Sequence, residues 1–128
     1  MNGVNKRLLS AILMMAASLA PSAFAHHSFA MFDRTTQIEV EGVVKEFQFT
    51  NPHSWVQIMV TPASGGPAQE WSIEALSPNV LSRAGWRKNT LKAGDKVKVL
   101  INPLRDGNPG GNLILLTLPN GITLGGGA

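Results

Sequence analysis

The stretch from Gln37 to Thr61 reads Q-I-E-V-E-G-V-V-K-E-F-Q-F-T-N-P-H-S-W-V-Q-I-M-V-T and constrains the fold more than any other part of the chain. Its alternation predicts two strands joined by a turn at Asn51-Pro52-His53. In the first arm Ile38, Val40, Gly42 and Val44 share one parity, but past Val43 the apolar positions move to Val43, Phe47 and Phe49. A one-residue change of parity beside a glycine predicts a β-bulge, because one extra residue turns everything after it to the other face. A first strand bent in this way can serve two sheets, as the first strand of a small closed barrel must. The second arm alternates without a break, with Val56, Ile58 and Val60 on one side and Trp55, Gln57 and Met59 on the other.

Downstream, Pro62 to Pro67 is a loop of glycine and proline. Gln69 to Ala75 reads as a third strand, with Trp71, Ile73 and Ala75 inward and Glu70, Ser72 and Glu74 outward. In Leu76 to Gly85, Ser77 can cap, Pro78 fits the first helical position and Gly85 can close the end, so one short helix is expected. A turn at Leu91 to Asp95 leads into a fourth strand, where Val97, Val99 and Ile101 alternate with Lys96, Lys98 and Leu100. Asn102 to Gly111 is a long turn. A fifth strand is expected over Asn112 to Leu118, ending at Asn120-Gly121, with residues 125–128 disordered. Three strands, a short helix and two more strands is the element order of the five-stranded OB barrel, whose helix plugs the base. The expectation is an all-β domain over residues 37–124, a small five-stranded OB-like barrel with one short helix between strands 3 and 4. A small open β-sandwich is the competing architecture, and it gives the helix less to do.

The barrel begins well inside a chain of 128 residues. Lys6 and Arg7 precede a mainly apolar run from Leu8 to Ala20, Pro21 follows, and Ala23-Phe24-Ala25 offers small residues at both positions that signal peptidase reads. This pattern predicts a cleaved secretory signal peptide over residues 1–25, since the run is too short to cross roughly 30 Å of hydrocarbon. The expected product is periplasmic or secreted and starts at His26. An N-terminal arm over residues 26–36 would lie extended on the barrel, anchored by Phe29 and Phe32. Without Lys6 and Arg7 the formal charge falls from +3 to +1. The remaining basic residues are spread and mixed with acidic ones, which argues against a nucleic-acid partner. No run after Ala25 is long enough for membrane insertion. The chain has no cysteine, which excludes disulfides and thiolate metal sites.

Several motifs extend over the mature part: H-H-S-F followed by F-D, E-G-V-V-K-E-F, N-P-H-S-W, W-x-I-E at Trp71 to Glu74, L-S-P-N-V-L with R-A-G-W, A-G-D-K-V and P-L-R-D-G. Together they resemble a family of small secreted bacterial proteins known only as a domain of unknown function, family 6152. The resemblance implies export and an OB-like barrel. It implies no activity, ligand or catalytic residue.

Two of the three histidines adjoin each other at His26-His27, and the third, His53, lies in the turn. Cleavage before His26 would set a free amine beside two imidazoles, and amine and imidazole nitrogens in a compact tetragonal set suit Cu(II). The expected metal ligands are His26, His27 and His53, with Asp33 or a glutamate such as Glu74 available to complete the set. The plainer alternative is a polar chain end and a histidine that hydrogen-bonds its own turn. A second class of function uses the face around Trp55, which is out of phase with Val56 and Ile58 and can stack against a sugar, peptide or aromatic ligand. Asn51, Trp55, Arg105 and Asp106 are then the ligand-binding residues of an interaction module for an exported protein or small ligand. The competing expectation packs Trp55 beneath the arm against Phe29 or Phe32. Catalysis is not expected: Ser54 and His53 are strand neighbours that point to opposite faces, Glu70 and Glu74 face outward into solvent, and no phosphate-binding glycine pattern is present.

Overall fold

The computed structural model describes residues 27–127. The expected leader, His26 and Ala128 lie outside the described residues. In chain order the elements are α1 (His27–Ala30), β1 (Ile38–Gln48), β2 (Ser54–Val60), β3 (Gln69–Ala75), α2 (Pro78–Arg83), β4 (Lys96–Pro103), β5 (Gly110–Thr117) and β6 (Thr123–Gly125). The strands run in the order β3-β2-β1-β4-β5-β6, and an additional pairing of β3 with β5 closes the first five into a barrel. That closing pair is parallel and its neighbours are antiparallel. With α2 between β3 and β4, this is the OB topology and not the open sandwich.

β1 is long because it serves two partners: Ile38 to Val43 pair with β4, and Val43 to Gln48 pair with β2. Between them Val44 faces Ile58 and Glu46 faces Gln57, which leaves Lys45 as the extra residue of a bulge. The bulge thus falls at Lys45 and not beside Gly42. Val44 stays inside, Phe47 and Phe49 pack on the core, and Val43, grouped by parity with the two phenylalanines, is exposed. Gly42 has a separate reason to be glycine, since a Cβ there would lie 2.8 Å from the Met59 carbonyl oxygen.

Alternation then fills the barrel with Val56, Ile58, Ile73, Val99, Ile101, Leu113 and Leu116, all buried. In a chain without cysteine, stability rests on such side chains, worth about 1.5–3 kcal/mol each when fully buried. Leu81 of α2 and Trp86 just beyond it close the base, both fully buried. Ser77 stands at the helix start, but its hydroxyl makes no capping bond; its carbonyl accepts from Val80 and Leu81 at 3.0 Å. Gly85 ends the helix at φ 95°, a left-handed conformation suited to glycine.

Of the segment expected to be disordered, Gly125 and Gly126 belong to the fold. β6 pairs with β5, setting Leu124 opposite Leu116. The Gly126 amide donates to the Ile114 carbonyl at 2.7 Å, and the Gly125 carbonyl accepts from Trp86 Nε1 at 2.7 Å. Three residues followed by glycines carry too short a side-chain pattern to announce a strand; backbone hydrogen bonds, the Leu124 side chain packed on the core and the Trp86 indole fix this one. β5 starts at Gly110, two residues before its expected start.

Candidate functional site

The outward residues of β3 meet different fates. Glu70 pairs with Lys45 at 2.5 Å in solvent, and Ser72 Oγ accepts from Gln57 Nε2 at 3.1 Å. Glu74, expected to be solvated, is only 6% exposed. It lies on a strand paired on both sides, with Trp55 of β2 and Asn112 of β5 as its register neighbours, and its Oε1 contacts Nδ1 of His53. The turn is held in place by the Ser54 amide, which donates to the Leu76 carbonyl at 3.3 Å, and by Thr50 Oγ1, which donates to the His53 carbonyl at 3.2 Å. Burial pushes the Glu74 carboxyl above the ordinary carboxylate range, and the charge and hydrogen bond of His53 act against that shift. A carboxylate this enclosed needs a compensating partner, and His53 supplies it. The His53 side chain is less enclosed, and among the described residues its Nε2 has no hydrogen-bond partner. An imidazole with one nitrogen held by a carboxylate and the other open is the arrangement found behind metal-binding histidines.

His26 and the side chain of His27 lie outside the described residues, so their convergence on His53 does too. Among the described residues no group of three or more histidine or acidic side chains could hold a metal ion. The arm is not extended throughout, since α1 is a single helical turn. Phe32 anchors it, buried and bridged to Leu104, whereas Phe29 is exposed with the Arg34 guanidinium 5.9 Å from its ring centre. Asp33 is already occupied: Oδ1 accepts from the Thr35 amide at 3.1 Å and hydroxyl at 2.6 Å, and Oδ2 accepts from the Thr36 hydroxyl at 2.7 Å.

These bonds, with the Arg105 charge beside them, hold the Asp33 carboxyl down at about 2, below its ordinary 3.8. A lowered folded-state value stabilises the arm above the unfolded value and stops doing so as pH falls through the folded one. Acidification from pH 3.8 toward 2 should therefore cost the parent chain more stability than an Asp33→Asn variant, read as the pH dependence of the urea midpoint. Parallel profiles would refute the linkage.

Arg105 and Asp106, expected at a ligand, are engaged within the chain. The Arg105 amide donates to the Met31 carbonyl at 2.9 Å and its Nε to the Ala30 carbonyl at 3.1 Å, while Asp106 accepts from the Asn108 amide at 2.9 Å and Nδ2 at 2.8 Å. Asn51 is exposed, and its bond to Pro52 is cis. Trp55 is half-buried on the outer face beside Glu74. Its ring joins no aromatic pair among the described residues, where Phe47 pairs with Phe49 and Trp86. The Ser54 hydroxyl is buried on the inner face without a hydrogen-bond partner. An open groove of about 510 Å³ runs past Val43, Met59, Lys98 and Leu118, but Lys98 is already paired with Glu41 at 3.2 Å.

What the sequence reading missed is the burial of Glu74. The signal lay in topology: once β3 pairs with both β2 and β5, an outward residue near its end has neighbours on two sides. No helix among the described residues is long and apolar enough to cross a membrane. No curated protein and no solved structure matches the chain. A family model does match, over residues 14–113, a span that takes in β1 to β4, the start of β5, and His53, Trp55 and Glu74 with them. The chain belongs to this family of unknown function, DUF6152.

Proposed function

We propose that the protein is an exported, non-catalytic binding protein, periplasmic or secreted, that takes up one Cu(II) through His53 and the mature N-terminus at His26-His27. The observation that carries the reading is the contact between His53 and the enclosed carboxylate of Glu74, which leaves the other ring nitrogen for a metal. The leader pattern supports export, and the amine it would free supplies the further nitrogen donors that Cu(II) favours.

The test is a Cu(II) titration, by calorimetry or electron paramagnetic resonance, of the chain beginning at His26 beside one with a single extra residue before it. The extra residue displaces the amine and the His27 ring from chelating positions while no side chain changes. Affinity should fall at least about tenfold, or about 1.4 kcal/mol. Because amine and imidazole coordinate only when unprotonated, uptake should also weaken on acidification. Equal affinity for the two forms would remove the N-terminus from the site, and so would an exported protein whose mass shows another first residue.

A second reading, an interaction module without metal, draws on Trp55, whose indole lies half-buried on the outer face without a ring partner among the described residues. No copper uptake by either form, with an exported partner or small ligand lost on Trp55→Ala, would select it.

A further inference from the structure

We infer that Glu74 is a positioning residue that fixes which nitrogen of His53 meets the metal: Nδ1 faces the carboxylate, and Nε2 is the donor. This rests on the reading of His53 as a copper ligand and names the group behind it. A histidine in a surface turn can present either nitrogen, since its ring can flip and its proton can sit on either side. Here one side is taken. Glu74 is 6% exposed and stands on a strand paired on both flanks, so its carboxylate has little freedom to follow a turning ring. With that carboxylate ionised, the contact to Nδ1 forms only if Nδ1 carries the proton and donates it, which leaves the lone pair on Nε2.

A flipped ring would set a carbon against the carboxylate and strand a nearly buried charge without a partner. The tautomer is therefore set before any metal arrives. A negative charge behind the ring also makes Nε2 a stronger donor. The adjoining Ser54 hydroxyl cannot stand in for Glu74, because it is fully buried with the residues of the barrel interior.

The experiment uses the full mature chain as parent, Glu74→Gln and Glu74→Leu, with nitrogen-15 NMR of the metal-free His53 ring and Cu(II) titration of each. The parent should show the proton on Nδ1. Glu74→Leu should lose that preference and bind Cu(II) roughly 10- to 100-fold more weakly, the usual effect of removing such an outer partner. Glu74→Gln, which keeps an acceptor of the same shape but no charge, should retain the Nδ1 proton and lose less affinity. Should Glu74→Leu fail to fold, the parent ring spectrum and the Gln variant still decide. A parent with the proton on Nε2 overturns the inference, because the glutamic acid would then be the donor. Full copper affinity in both variants overturns it as well. A parent that binds no Cu(II) sinks the copper reading itself, and is told apart from uptake indifferent to Glu74, which sinks this inference alone.

Discussion

Replacing Trp86 by alanine should lower the unfolding free energy by about 3–5 kcal/mol, the range for deleting a large buried aromatic. Typical domain stabilities are about 5–15 kcal/mol, so the variant would sit close to the edge of folding at ambient temperature. Two separate losses combine. The ring is fully buried at the barrel base, 5.6 Å from the centre of Phe47, and its removal leaves a cavity between α2 and the core. The indole N–H also donates to the Gly125 carbonyl at 2.7 Å, so the C-terminal strand loses the side chain that ties it to the base. Trp86→Phe separates the two: it keeps much of the volume but leaves the carbonyl unpaired, at a cost of about 1–3 kcal/mol. Urea unfolding of both variants measures the difference. A Trp86→Ala loss under 1 kcal/mol would show that the ring does not plug the base.

The barrel was legible in the sequence because its signals are local. Alternation in β2 and β4, the parity change in β1 and the proline-led helix each reside in a few consecutive residues, and their order leaves few topologies. What escaped depends on partners distant in the chain. Val43 reads as inward by parity with Phe47, yet it lies where β1 pairs with both β2 and β4, and the extra residue comes two positions later. β6 escaped because it is three residues long and its holds, the β5 backbone and the Trp86 indole, lie elsewhere in the chain. Arg105 and Asp106 read as ligand residues because they lie in a long turn where OB barrels place ligand loops, but their polar groups hold the arm and shape the β4–β5 turn.

The candidate site follows the same division. His53 stands out as one of three histidines, and Trp55 by its phase. The contact that gives His53 a direction joins residues 21 positions apart, and strand pairing brings them together. No periodicity marks an outward glutamate as buried. It lies between β2 and β5, and β5 is added on the far side of β3 only after α2 and β4.

Gly111→Val should therefore disturb both the fold and the site. Gly111 stands where β5 faces two strands, opposite Ile73 of β3 and Pro103 of β4. A Cβ there would press on the Asn102 carbonyl oxygen, and would lie 2.8 Å from Ile101 Cδ1 and 3.1 Å from the Asn102 carbonyl carbon. The isoleucine can turn aside. The carbonyl belongs to the β4 backbone and cannot move without parting β4 from β5, so the cost should reach the upper end of overpacking, about 3 kcal/mol. The displacement also acts next to Glu74, since Asn112, which faces Glu74 across the closing pair, follows Gly111 directly. A population that still folds should expose Glu74, loosen its hold on the Nδ1 proton of His53, and bind Cu(II) as weakly as Glu74→Leu although neither His53 nor Glu74 has changed. Urea unfolding with nitrogen-15 NMR of the ring measures both effects. Parent-like stability would show that β4 and β5 can separate locally at little cost; a destabilised chain with an unchanged His53 ring would show that Glu74 is held by its own strand and the turn at His53, without help from β5.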